Sequence, residues 1–289
     1  MVGRAAGRTG GIDVIVRVHD LGRLEELGRA VFSAALQDYE PVTVVVVCQR
    51  FGAAGVAAVR EALADTMAIV PQAGLEVLDW GGVGDGRAAL MNLGLLAGRR
   101  RYCAFLDYDD VIYPEGYRLL VRELEESGAA IAFGGVLNAY VAMAGAAPYT
   151  TGKRRVFEGA GLPRLLLNNF CPIHSFVVDR ERVAAGDLVV DETMGALEDY
   201  DLLLRLCARY RSSFRLKDKI VGEYLFKDDG SNVNPLANVD GQARWDVALG
   251  RIGALKDGLA LCAEVQRDLG VDVPGLTVAG YLDKAGIIA

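Results

Sequence analysis

From Ala104 to Pro114 the chain reads AFLDYDDVIYP: a short apolar run that ends in three carboxylates, Asp107, Asp109 and Asp110, followed by a proline placed to open a helix. A continuous apolar run of this length marks a strand buried on both faces, which calls for a parallel sheet with covering helices. Ligands of open α/β sheets bind outside the carboxyl ends of such strands. The acids therefore stand where chemistry is usually done. Two readings of them stand side by side. A divalent cation shared with a substrate phosphate would offset their mutual repulsion. Equally, an acidic turn with an Asp N-cap and Pro at the first helical position is common in α/β proteins.

The segments before this one repeat the same unit. Ile12–Val18 (IDVIVRV), Val42–Cys48 (VTVVVVC), Leu75–Trp80 and Tyr102–Leu106 read as strands. Residues 21–36, 53–64, 86–98 and 114–126 carry apolar residues at helical spacing, and such alternation predicts a parallel sheet. After Glu126 the rhythm breaks. Residues 130–142 read as a long or doubled strand, and 148–158 as a polar loop or hairpin with the basic cluster Lys153-Arg154-Arg155. Then come a strand over 175–179, a helix over 197–210, a strand over 220–225 and one long amphipathic helix over 242–269. The expected organisation is a flexible lead-in (1–11), one α/β domain (12–226), a loop (227–240) able to cover the site, and a C-terminal helical extension (241–289) packed on the same domain.

With 289 residues and 52% hydrophobic content the chain can bury a sizeable core. A formal net charge of −7 argues against a nucleic-acid partner, which usually calls for a basic domain or stripe. Five cysteines, odd in number and without a CxxC pair, predict free thiols, no structural zinc and a reducing, cytoplasmic setting. Asp13, Arg17, His19 and Asp20 rule out a secretory apolar core after the N-terminus. The most membrane-like stretch, 129–149, is rich in Gly and Ala and continues a strand pattern, so no transmembrane helix is expected. Peripheral contact with the inner face of a membrane stays open.

Strand one leads into His19-Asp20-Leu21-Gly22-Arg23, neither a GxGxxG fingerprint nor a P-loop, which argues against a dehydrogenase. The turn Gly81-Gly82-Val83-Gly84-Asp85-Gly86 before a helix can still bring backbone amides to a phosphate, with Arg87 adding charge. A second acidic group, Glu198-Asp199-Tyr200-Asp201, opens a helix. It reads as complementarity to the helix dipole, or as a general base beside a substrate hydroxyl.

The order of these motifs, VIVRVHD, VVVVC, GRAALMNLGLLAGRRRYCAFLDYDD, PIHSFVVDR and LEDYDLLLRL, resembles the inverting family 2 glycosyltransferases of GT-A fold, over roughly residues 12–209. The resemblance implies transfer of a sugar from a nucleoside diphosphate donor to a hydroxyl of a glycan or lipid-linked glycan, as in bacterial cell-surface polysaccharide or glycoconjugate synthesis. Asp199 would be the base, and Asp107 and Asp109 the DxD pair, with Asp109 on a Mn²⁺ or Mg²⁺ ion. Arg17, His19, Gln49, Arg87, Asn92 and Asp107 would line the nucleotide site, and His174 and Glu198 the sugar or acceptor.

The chain departs from that pattern in three places. Cys48-Gln49-Arg50-Phe51 replaces the acidic segment that contacts the nucleobase, Met91 replaces an arginine, and no late histidine is present, so Asp228, Asp229 or water would complete the metal site. A sugar-phosphate nucleotidyltransferase and a non-catalytic nucleotide-sugar-binding module are the rival readings. The first normally shows a glycine-rich, basic loop after strand one, which VRVHDLGRLEE lacks.

Overall fold

Four in-register parallel strands carry the acidic motif, in a computed structural model that describes residues 9–143, 148–155, 157, 160–230 and 239–287. They are β1 (Thr9–Val18), β2 (Val42–Gln49), β3 (Gly74–Trp80) and β4 (Arg100–Asp107), in the order β3-β2-β1-β4. Val14, Val16, Val44, Val45, Val46, Val47, Ala104 and Phe105 are all essentially inaccessible. This burial on both faces is why the runs are apolar without alternation. The register sets Arg17 opposite Val47 and Asp107, and Gln49 opposite Trp80, so the strands end level with one another.

The connecting helices are α1 (Leu24–Ala35), α2 (Gly52–Ala62), α3 (Ala64–Ile69) and α4 (Arg87–Ala97). Helix α4 lies on β1, β2 and β3, close enough at Gly94 that a Cβ there would stand 2.4 Å from Ile15 Cγ2. The helix expected over 53–64 is thus two helices. The one expected from Pro114 is α5 (Gly116–Ser127), preceded by the short β5 (Val111–Ile112).

Beyond β4 the sheet becomes mixed. It runs on through β8 (Phe176–Asp179), β6 (Ile131–Ala142), β9 (Ser212–Lys227) and β5, with β7 (Tyr149–Arg155) forming a hairpin with β6. Among the described residues four pairings are parallel and four antiparallel. Strand β9 is far longer than the 220–225 read from sequence, because β6 pairs with it from Ser212 to Lys227. Between β7 and β8 comes α6 (Leu162–Leu167), and between β8 and β9 comes α7 (Glu198–Arg209), which packs on α4 and α6.

The long C-terminal helix is interrupted. It forms α8 (Val239–Gly258) and α9 (Ala263–Asp268), followed by α10 (Val278–Lys284). Tertiary hydrogen bonds make the break: Leu261 N donates to Leu276 O and Cys262 N to Ala208 O, both at distances below 3 Å. Residues 1–8 of the lead-in, 156 and 158 of the expected loop or hairpin, 231–238 of the later loop and 288–289 of the extension lie outside the described residues. Thr9–Gly11 belong to β1. Among the described residues no helix is long and apolar enough to cross a membrane. All five cysteines are free thiols, four of them buried.

Candidate functional site

Arg17 and Asp107 are register partners on adjacent parallel strands, so their side chains leave the sheet on one face. The guanidinium meets the carboxylate twice, Nε to Oδ1 at 2.6 Å and Nη2 to Oδ2 at 3.3 Å. Its remaining arm, Nη1, reaches Glu198 Oε1 at 2.8 Å and touches Met91 Sδ at 3.6 Å. Burial alone would lift the Asp107 carboxyl, but Arg17 overrides it and holds the group below the usual carboxylate range.

The link to Glu198 brings the first turn of α7 to the strand ends. Helix α7 starts after Leu197, a non-glycine residue in the left-handed region (φ 59°), a conformation that side-chain-bearing residues adopt only at some cost. Next along the turn stands Asp199. Its Oδ1 accepts from Tyr200 N at 2.7 Å and its Oδ2 from Asn169 Nδ2 at 3.4 Å. Burial, reinforced by the charge of Glu198, pushes the Asp199 carboxyl up to about 6. A half-buried carboxylate that titrates just below neutrality suits a general base.

Asp109 and Asp110 diverge. Asp110 turns inward, where its Oδ1 accepts from Leu225 N at 3.0 Å and its Oδ2 lies 3.2 Å from His174 Nδ1, both side chains being buried. Asp109 keeps a partly open carboxylate, whose Oδ2 lies 2.8 Å from Lys227 Nζ. Burial and the charges of Asp110 and Asp107 raise it to about 6, against the pull of Lys227. Tyr224 faces the same cluster from β9. Burial and the charges of Asp110, Asp107, Asp109 and Asp199 push its phenol upward.

The other expected residues are distributed as follows. His19 is exposed and stands edge-on to Tyr108, ring centroids 5.5 Å apart. Gln49 Nε2 donates to Gly84 O at 3.2 Å. Arg87 binds Asp85 and Gly195 O, each at 2.7 Å. The glycine-rich turn is shaped by Trp80: a Cβ at Gly82 would lie 2.2 Å, and at Gly86 2.8 Å, from its indole.

Three of the expected residues are engaged within the chain. Asn92 is committed to the 190–192 segment, donating to Val190 O at 2.9 Å and Glu192 Oε1 at 2.8 Å and accepting from Val190 N at 2.8 Å. His174 lies beneath the site with no exposure, beside Asp110. Glu198 is likewise buried, its carboxylate turned to Arg17.

The acids expected at the metal are also engaged within the chain. Both oxygens of Asp107 face Arg17, one of Asp109 faces Lys227, Asp228 Oδ1 accepts from Met143 N, and Asp229 pairs with Arg23. Among the described residues no group of three His, Cys, Asp or Glu side chains is arranged to hold a metal ion. A divalent cation shared with a diphosphate takes one or two protein carboxylates along with phosphate and water oxygens, and here both oxygens of Asp107 and one of Asp109 are engaged by cations of the chain instead.

Sequence reasoning missed Lys227, Asn169 and Tyr224. Lys227 was read as the start of a loop, and the only signal for it was a lone cation directly after an apolar strand pattern.

The family model for Glycosyl transferase family 2 matches residues 14–183, more than half of the chain. The chain belongs to this family. No curated protein sequence matches it. Among solved structures, S. aureus TarS 1-349 in complex with UDP-GlcNAc is 15% identical with a TM-score of 0.58, over 89% of this chain and 83% of that one. The complex of TarS 1-349 with UDP gives 16% identity and a TM-score of 0.53, over 74% of this chain and 60% of that one. The structure of TarS gives 16% and 0.53, over 89% of this chain and 50% of that one, so this family 2 chain spans about half of it. Likeness at this identity is one of fold: an α/β sheet with flanking helices of the GT-A type.

Proposed function

We propose that this family 2 protein transfers a sugar, with inversion, from a nucleoside diphosphate sugar to an acceptor hydroxyl, the acceptor being a glycan or lipid-linked glycan. The observation that carries the proposal is Asp199, a carboxylate raised to about 6 that accepts from Asn169 and Tyr200 N and follows Glu198, which Arg17 ties to Asp107 at the ends of four parallel strands. In the single displacement, Asp199 Oδ2 takes the acceptor proton as the acceptor oxygen bonds to the anomeric carbon. The bond from that carbon to the diphosphate breaks, and its electron pair leaves with the diphosphate. Asn169, donating to Asp199, favours the ionised base. Arg87, at the first turn of α4, is the cation nearest to a diphosphate lying over the Gly81–Gly86 turn.

Uridine diphosphate is the nucleotide to try first, because the TarS complexes hold UDP and UDP-GlcNAc. Purified protein incubated with UDP-sugars, without acceptor, is expected to release UDP slowly, since water can use the same base, and Asp199→Asn is expected to abolish the release. Pyrophosphate formed from sugar 1-phosphate and a nucleoside triphosphate would overturn this reading in favour of a nucleotidyltransferase. Tight donor binding without turnover towards any acceptor would favour a binding module.

A further inference from the structure

The charges that a divalent cation would neutralise at this site already have partners within the chain. Lys227 is the last residue of β9, and β9 is fastened to the acidic turn two residues earlier, where Leu225 N donates to Asp110 Oδ1. That bond delivers the Lys227 ammonium to Asp109 Oδ2 at 2.8 Å. The same ammonium meets Glu26 Oε2, from α1, at 2.9 Å, and it lies 5.9 Å from the centre of the Tyr108 ring. The Lys227 side chain is 2% exposed. A buried ammonium with two carboxylates on it is a fixed charge, because moving it would strand all three groups in a poorly solvated place. On the neighbouring carboxylate the Arg17 fork plays the same part. The two acids that could complete a metal site, Asp228 and Asp229, are held by Met143 N and by Arg23 on the α1 side.

We propose that Lys227 serves as the built-in counter-cation of Asp109, and that this protein binds a nucleoside diphosphate without a divalent metal ion. The proposal rests on the nucleotide-sugar reading above. In this arrangement Arg17 and Lys227 each offset part of the charge of the acid pair they bind, Asp107 with Glu198 and Asp109 with Glu26, which lowers the repulsion of a diphosphate from the strand ends. The carboxylates orient the two cations.

The test uses uridine diphosphate and Mn²⁺ as probes. Calorimetry of wild type with uridine diphosphate, first with Mn²⁺ and then with a chelator, is expected to give affinities within about twofold of each other. Electron paramagnetic resonance of Mn²⁺ titrated into the nucleotide-free protein is expected to show no tight site. Lys227→Met, which keeps the length and removes the charge, is expected to lose tenfold or more in affinity under chelator and to recover part of it with Mn²⁺, since Asp109 is then released to a metal. Lys227→Arg is expected to stay within a fewfold of wild type. A wild-type affinity that rises tenfold or more with Mn²⁺ would overturn the proposal while leaving the nucleotide reading intact. So would a Lys227→Met variant that binds like wild type under chelator. Absence of binding to uridine, guanosine and thymidine diphosphates in every condition would remove the nucleotide reading and this proposal together. If Lys227→Met does not fold, the two wild-type measurements decide alone.

Discussion

Arg17 and Glu198 are separated by 181 residues in the chain and by 2.8 Å in the fold. The contact joins the end of the first strand to the first turn of α7, and since the same guanidinium also grips Asp107, three distant segments are fixed around one planar group. The position of the Asp199 carboxylate is a consequence of this joint.

Arg17→Met is therefore expected to leave two largely buried carboxylates without their cation, at a cost of about 3–5 kcal/mol. Arg17→Lys should recover only part, because an ammonium cannot match the fork that reaches both acids. Urea unfolding measures both variants. A loss below about 1 kcal/mol for Arg17→Met would mean that the joint carries little of the fold.

The rate of transfer should fall at acid pH through the titration of Asp199. The base works ionised, so with its carboxyl at about 6 the rate is expected to drop tenfold per unit below that value and to level off above it. Asn169 donates to the ionised form, so Asn169→Ala should shift this limb towards higher pH. A pH profile of kcat for the two proteins reads the shift directly, and an unmoved limb would remove Asn169 from the positioning of the base.

The same carboxyl makes an opposite demand on stability. A folded-state value raised from the ordinary 3.8 to about 6 means that the native protein holds more protons than the unfolded chain between those limits, and stability falls as pH rises across that window. Above pH 6 the ionised group costs on the order of 2–3 kcal/mol. Asp199→Asn removes the charge. The variant should be inactive yet more stable than wild type at pH 7–8, with the gain fading to nothing below pH 4. Thermal unfolding at the two pH values checks it.

The parallel half of the sheet was legible because residues such as Val44–Val47 are buried on both faces, and a strand so placed has no reason to alternate. The break between α8 and α9 was not, because Leu259 and Cys262 continue the apolar side of the helix and only partners far along the chain, Leu276 and Ala208, interrupt it. At the site the acids themselves were legible, since crowded carboxylates at a strand end stand out in any sequence. What each acid faces was not. Asp107 and Asp109 meet Arg17 and Lys227 through register and through the return of β9, and neither is encoded in local spacing. His174, polar within an apolar neighbourhood, reads the same whether it borders a substrate or lies under the site beside Asp110.

Asn92 separates a positioning role from a binding role. As one of the nucleotide-contacting residues implied by family resemblance, its loss would weaken donor binding tenfold or more. In the structure both ends of its amide are engaged with residues 190–192, the start of the segment that runs through the left-handed Leu197 into Glu198-Asp199. Arg87 holds the same segment at Gly195 and Arg251 holds it at Thr193, each by a 2.7 Å bond to a carbonyl, so the segment is pinned along its length. Asn92→Ala removes the pin at Val190. It should cost about 1–3 kcal/mol through the backbone groups of Val190 left without a partner. It should also lower kcat by misplacing Asp199, while affinity for the nucleoside diphosphate stays within about twofold of wild type. Asn92→Asp can still accept from Val190 N, but it no longer donates to Val190 O and adds a charge beside Glu192, so it should not restore kcat. Steady-state kinetics with calorimetry on both variants distinguishes the roles: a fall in kcat with binding preserved assigns Asn92 to the placement of the base, and a fall in binding with kcat preserved returns it to the nucleotide.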